Sequence, residues 1–147
     1  MFGTIVVGTD GSETAAEAVR QAVELAGIVG GRLGIVSAHR PGPRSRPRPQ
    51  AQHVPPDVQW TINPREDVDA TLAAAAAVAA EAGVPAAVHA RQGDPADAIL
   101  DVAEETAADL VVVGNKGMTG AKRFLLGSVP NKISHHAPCG VLIIRTT

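Results

Sequence analysis

With one cysteine among its 147 residues, the chain cannot form an internal disulfide. No Cys-x-x-Cys or Cys/His ligand spacing accompanies Cys139. A lone thiol beside Pro138, at the entrance to an apolar run, reads as a small packing residue rather than a nucleophile and fits a reducing compartment. A dominant charge is also missing. The 13 basic and 15 acidic residues leave a net charge of -2, spread along most of the chain, which gives no general reason to expect a nucleic acid partner. No apolar run reaches the roughly 18 residues that span a bilayer; the longest candidate, 70–80, is alanine-rich and only weakly hydrophobic. The start lacks the basic and then apolar pattern of a secretory signal. These absences lead us to expect a soluble, cytoplasmic protein. Three familiar signatures are absent as well: the P-loop string, the dinucleotide fingerprint Gly-x-Gly-x-x-Gly and the hydrolase elbow Gly-x-Ser-x-Gly. A P-loop hydrolase and a standard NAD enzyme are disfavoured.

What is present is a chain that is 45% hydrophobic, enough for one core of ordinary size, so one domain over 1–147 is expected. Apolar β-rich runs alternate with helical patterns, the sign of βαβ units in a parallel sheet. Ile5–Val7 reads as a buried strand. Over 12–26 the spacing places Ala15, Ala18, Val19, Ala22, Val23, Leu25 and Ala26 on one helical face, with Ser12 as cap and Gly30-Gly31 as stop. Leu33–His39 is a second strand. Arg65–Glu81, rich in alanine, is a helix, Ala86–Ala90 a weak strand, and Asp94-Pro95 opens a helix to about Ala107. Leu110–Val113 is the most hydrophobic strand. A short helix from about Gly127 to His136 and a strand Val141–Arg145 complete the chain. The expected fold is α/β: a single doubly wound domain with a five-stranded parallel sheet in the order 3-2-1-4-5 and helices on both faces. The segment 40–63 breaks the pattern with its prolines and a run of arginines, and is expected to be a long, mobile loop.

In such a sheet ligands bind beyond the carboxyl ends of the strands, where the winding reverses. Three segments leave such ends: Gly8–Ser12, Ala38–Arg40 and the loop from Gly114. The last is the most informative. Gly114-Asn115-Lys116-Gly117 is followed, nine residues on, by Gly127-Ser128 at a helix start. Glycines let the backbone approach an anion and turn successive N–H groups towards it, and the helix end adds free N–H groups and the positive end of its dipole. Lys116 could neutralise phosphate charge, and Ser128 could donate to a phosphate oxygen or cap the helix. Asp10, in Asp-Gly-Ser, could equally be a turn former. Other candidates are weaker. His135-His136 suit the carbonyl end of their helix, and Asp94, Asp97 and Asp101 read as a solvated face.

The spacing Gly114-x-x-Gly117-x9-Gly127-Ser128, together with the opening Ile5-Val6-Val7-Gly8-Thr9-Asp10-Gly11-Ser12, resembles ATP-binding universal stress proteins over the whole chain except 40–63. The resemblance implies an adenine nucleotide, held without catalysis, in a stress-response or regulatory role. Thr9 and Asp10 would contact the nucleoside and Ala38 would offer backbone groups to the adenine edge. Val113 and Gly114 would line the ribose, and Gly117, Gly127, Ser128 and Val129 would hold phosphates, with magnesium accompanying ATP. It also implies a homodimer paired through Val141–Arg145. Gly114-Asn115 and Gly127-Ser128-Val129-Pro130 are similar in wording to members that prefer cyclic AMP, so ATP, AMP and cyclic AMP stay open. Two further readings stand beside these, an interaction module that binds no nucleotide and a slow ATPase; against the latter, no general base is visible.

Overall fold

The computed structural model describes residues 2–39, 65–115 and 127–145. The expected loop 40–63, with Trp60, lies outside the described residues, as do Lys116 and Gly117. Strands β1 (Thr4–Gly8), β2 (Arg32–His39), β3 (Ala86–Gln92), β4 (Leu110–Gly114) and β5 (Gly140–Ile144) alternate with helices α1 (Glu13–Val29), α2 (Arg65–Glu81), α3 (Pro95–Glu105) and α4 (Ser128–His136). The strands form one parallel sheet in the order β3-β2-β1-β4-β5, as the sequence pattern implies.

Local chemistry accounts for the helix ends. Ser12 Oγ accepts from Ala15 N at 3.1 Å at the start of α1, satisfying a donor that has no partner within the helix. Gly30 ends that helix in the left-handed region at φ 70°, which costs glycine little. Asp94 caps α3 by accepting from Asp97 N at 3.0 Å, with Pro95 in the first turn. That helix stops at Glu105, short of Ala107, which turns the chain at φ 51°.

Alternation along the strands divides the core in two. Ile5, Val7, Leu33, Ile35 and Val112 face α1 and α2, where they meet Ala18, Ala22, Val68 and Leu72. Val6, Val36, Ala38, Val111 and Val113 face α3 and α4, meeting Ile99, Val102, Ala103 and Ile133. Two helices on each face follow from the crossovers all being of one hand: the chain winds outward from β1 to β3, then returns to β4 and winds the other way. The reversal therefore falls between β1 and β4.

The structure corrects two details. Gly127, not Ser128, is the cap residue of α4, and Ser128 is the first helical residue, exposed and without a side-chain capping bond. The last strand runs from Gly140 to Ile144, so Arg145 lies beyond it. Among the described residues no helix is long and apolar enough to cross a membrane.

Candidate functional site

Because β1 and β4 are neighbours whose following segments leave to opposite faces, a crevice opens at their carboxyl ends. The structure has a cleft there with about 560 Å³ of empty space, a figure that includes its open mouth. The end of β1 and its loop (Gly8, Thr9, Asp10) and the first turn of α1 (Ala15) line one part. The end of β2 (Val36, Ser37, Ala38) lines another. Pro95 and Ile99 of α3, Val113 and Gly114 of β4, and Val129 and Pro130 of α4 complete it. Most of these groups are apolar, a surface suited to a flat ring or sugar face, and Asp10 is the single titratable group among them.

The loop after β1 is held by its own side chains. Thr9 N donates to Val36 O at 2.9 Å, tying the loop to β2. Thr9 Oγ1 accepts from Gly11 N at 3.2 Å, and Asp10 Oδ1 accepts from Ser12 N at 2.9 Å. Asp10 is thus a turn former, as its Asp-Gly-Ser setting allows. Turn formation engages one carboxylate oxygen, so the second oxygen can still meet a ligand. Gly11 sits at φ 84°, and a methyl group built on it would lie 3.0 Å from Thr71 Oγ1. At Gly8 a methyl group would come within 2.3 Å of Ile99 Cδ1, so a side chain there would have to displace the Ile99 side chain at the floor of the cleft.

On the opposite wall, Asn115 is buried, and its backbone joins three parts of the chain. Its N–H donates to Ile144 O at 2.9 Å, and its carbonyl accepts from Gly127 N at 3.0 Å. The second bond joins the residue after β4 to the cap residue of α4. It also uses the N–H of the cap residue. In α4 the third helical residue is Pro130, which has no N–H, and Asn131 N already donates to Gly127 O. Two backbone donors remain at this helix end, those of Ser128 and Val129; among the described residues neither has an acceptor. Such donors, with the positive end of the helix dipole, favour an anion.

A lysine braces the same wall. Lys132 of α4 reaches Asp97 Oδ1 at 2.8 Å and Asp94 Oδ2 at 3.4 Å at the start of α3, and the Asp97 contact raises its pKa. The pairing joins the two helices that carry Pro95 and Pro130. Among the described residues no group of three or more His, Cys, Asp or Glu could hold a metal ion, and His135 and His136 are exposed at the end of α4, their rings 6.5 Å apart.

Of the residues singled out from sequence, Thr9, Asp10, Ala38, Val113, Gly114 and Val129 line one cleft. Gly127 and Ser128 stand at the helix end beside it, and Lys116 and Gly117 fall in the segment outside the described residues. The sequence reading named Gly8 and Pro130 only as parts of their motifs, and missed Ala15, Val36, Ser37, Pro95 and Ile99 as lining residues. Ile99 read simply as core; its place on the cleft floor depends on where α3 crosses Gly8. The contact between Asn115 and Gly127 had no signal in the sequence beyond the place of Asn115 in the glycine-rich stretch after β4.

The model of the universal stress protein family matches residues 1–145. Universal stress protein Rv1636 of Mycobacterium tuberculosis is 36% identical over 148 residues, covering 99% of this chain and 98% of that protein. Among solved structures, a universal stress protein in complex with cAMP aligns with a TM-score of 0.75 at 31% identity, covering 99% of both chains. The universal stress protein from Archaeoglobus fulgidus in complex with dAMP aligns with a TM-score of 0.70 at 25% identity, covering 97% of this chain and 98% of the other.

Proposed function

This chain belongs to the universal stress protein family, and from that premise we propose that it binds an adenine nucleotide in the cleft above β1, β2 and β4, with a single phosphate at the start of α4. The observation that carries this reading is the pair of unengaged N–H groups of Ser128 and Val129, at the helix end whose next residue, Pro130, lines the cleft. Two donors suit the oxygens of one phosphate. Gly127 N is committed to Asn115 O and Pro130 has none to give, so α4 adds little for further phosphates. The bound ligands of two structural relatives, cAMP and dAMP, each carry one phosphate. In this reading Asp10 and Thr9 meet the nucleoside, Ala38 the base edge, Val113 and Gly114 the ribose, and Ser128 and Val129 the phosphate, with Gly127 contributing only the absence of a side chain beside it.

ATP is the second reading, favoured by the glycine spacing from Gly114 to Gly127, with Lys116 and Gly117 serving the outer phosphates. Magnesium brought with ATP would take its ligands mainly from phosphate oxygens and water, because Asp10 is the sole carboxylate lining the cleft among the described residues. We propose binding without turnover: Asp10 is partly committed to Ser12 N, and no second acid or base lines the cleft among the described residues. We further propose a cytoplasmic homodimer joined through β5, an edge strand whose apolar side chains are all at least partly exposed.

Isothermal titration with cyclic AMP, AMP and ATP tests this reading. Heat of binding for the monophosphates is expected, diminished in Ser128→Pro, which removes one of the two backbone donors at a first helical position where proline is well accommodated. The absence of binding by all three nucleotides would overturn it, and tighter binding of ATP would select the second reading.

A further inference from the structure

The two helices on the β4 side of the cleft differ in charge. α3 and its cap hold five carboxylates, Asp94, Asp97, Asp101, Glu104 and Glu105, and no lysine or arginine. α4 holds no carboxylate and one lysine, Lys132. Asp94 and Asp97 flank Pro95 and Ala96 at the start of α3, and Pro95 lines the cleft together with Val129 and Pro130 of α4. An anion brought to the first turn of α4 therefore approaches two carboxylates, each more than half exposed, and is repelled by them through water.

Lys132 answers that charge from α4. It stands one turn beyond Ser128, about 6 Å along the axis, and a helical side chain leans back towards the N-terminus of its helix. Its ammonium group lies 2.8 Å from Asp97 Oδ1 and 3.4 Å from Asp94 Oδ2. We infer that Lys132 sets how much negative charge the phosphate end of the cleft accepts, by offsetting the carboxylates beside it rather than by touching the ligand. This rests on the nucleotide reading and adds a specificity-determining residue to it. A brace between helices would act on every ligand alike, whereas a charge at a distance acts in proportion to the ligand's own charge. The two roles also differ in sign at Asp97. Removing that carboxylate weakens the brace but relieves the repulsion.

The test measures affinity for cyclic AMP and for AMP at about pH 8 and low salt. There cyclic AMP carries one negative charge and AMP nearly two, because the second phosphate pKa is about 6. Lys132→Met is expected to weaken cyclic AMP about threefold and AMP about tenfold, one factor of about three for each ligand charge at roughly 6 Å through water. Both losses should disappear near about 1 M salt. Asp97→Asn is expected to tighten AMP, and to tighten it more than cyclic AMP. Lys132→Arg keeps the charge and should keep the wild-type ratio of the two affinities. Equal losses for the two ligands in Lys132→Met, or weaker AMP binding in Asp97→Asn, would overturn the inference and leave Lys132 a brace between helices. Wild-type affinities in both variants would overturn it and leave the nucleotide reading standing. No binding of either nucleotide by the wild type would overturn the nucleotide reading itself, and this inference with it.

Discussion

At the scale of single residues, the cleft depends on positions where the side chain is absent or small. Gly11 combines φ 84° with a 3.0 Å approach of Thr71 Oγ1 to any added methyl group. Gly11→Ala is expected to destabilise the fold by about 1–2 kcal/mol, measured by urea denaturation. His89, on the edge strand β3, has its pKa lowered from 6.5, first by burial and then by Arg91, against an opposing pull from Glu105. Arg91 itself is held to Glu105 by two hydrogen bonds of 2.9 Å. Because the native imidazole takes up a proton less readily than the unfolded one, the unfolded chain binds more protons as pH falls below 6.5. Stability from this group is complete above that pH and is lost as pH falls from 6.5 towards the lower native value. Thermal melts from pH 7.5 to 5.5 should show this decline in wild type and a shallower one in His89→Gln. The glycines and Asp10 were legible in the sequence because each has a local signature. Ser37, Val36 and Ile99 were not, because an apolar or small residue in a strand or helix has the same pattern whether it meets a neighbour or an open cleft.

At the scale of elements, the site is where helix ends meet strand ends. The bracing of α3 and α4 by Lys132, Asp94 and Asp97 is exposed, so its effect should be screened by salt. Lys132→Met is expected to lower the melting temperature at low ionic strength, with the difference vanishing at about 1 M salt; a difference that persists would show that the lysine acts through packing. Ser128→Ala should leave the melting temperature of the free protein unchanged, since the Ser128 side chain caps nothing. The helices were legible from periodicity and from caps such as Ser12 and Asp94. The start of α4 was placed one residue early because Gly127-Ser128 contains two residue types that both serve as caps, and only the backbone geometry separates them. The loss of two donors there, one to Asn115 O and one to Pro130, depends on a contact across the fold that no local pattern encodes.

At the scale of the whole molecule, the sheet order follows from alternating strand and helix patterns and the preferred hand of their crossovers, which is why the position of the cleft could be anticipated before its lining. The outer edge of β5 is less self-contained. Leu142 is 39% exposed, and Val141, Ile143 and Ile144 are only partly covered. An open apolar edge of this kind favours pairing with a second copy. Sedimentation is expected to give twice the chain mass for wild type and the single chain mass for Leu142→Glu. The central claim is that one cleft at the winding reversal receives an adenine nucleotide. Amide chemical shifts recorded while cyclic AMP is added test it most directly. Binding in the cleft predicts saturable changes at Gly8, Thr9, Asp10, Ala38, Val113, Gly114, Ser128 and Val129, with β3 near Val88 unaffected. No saturable change at any nucleotide concentration, or changes confined to surfaces away from these residues, would contradict it.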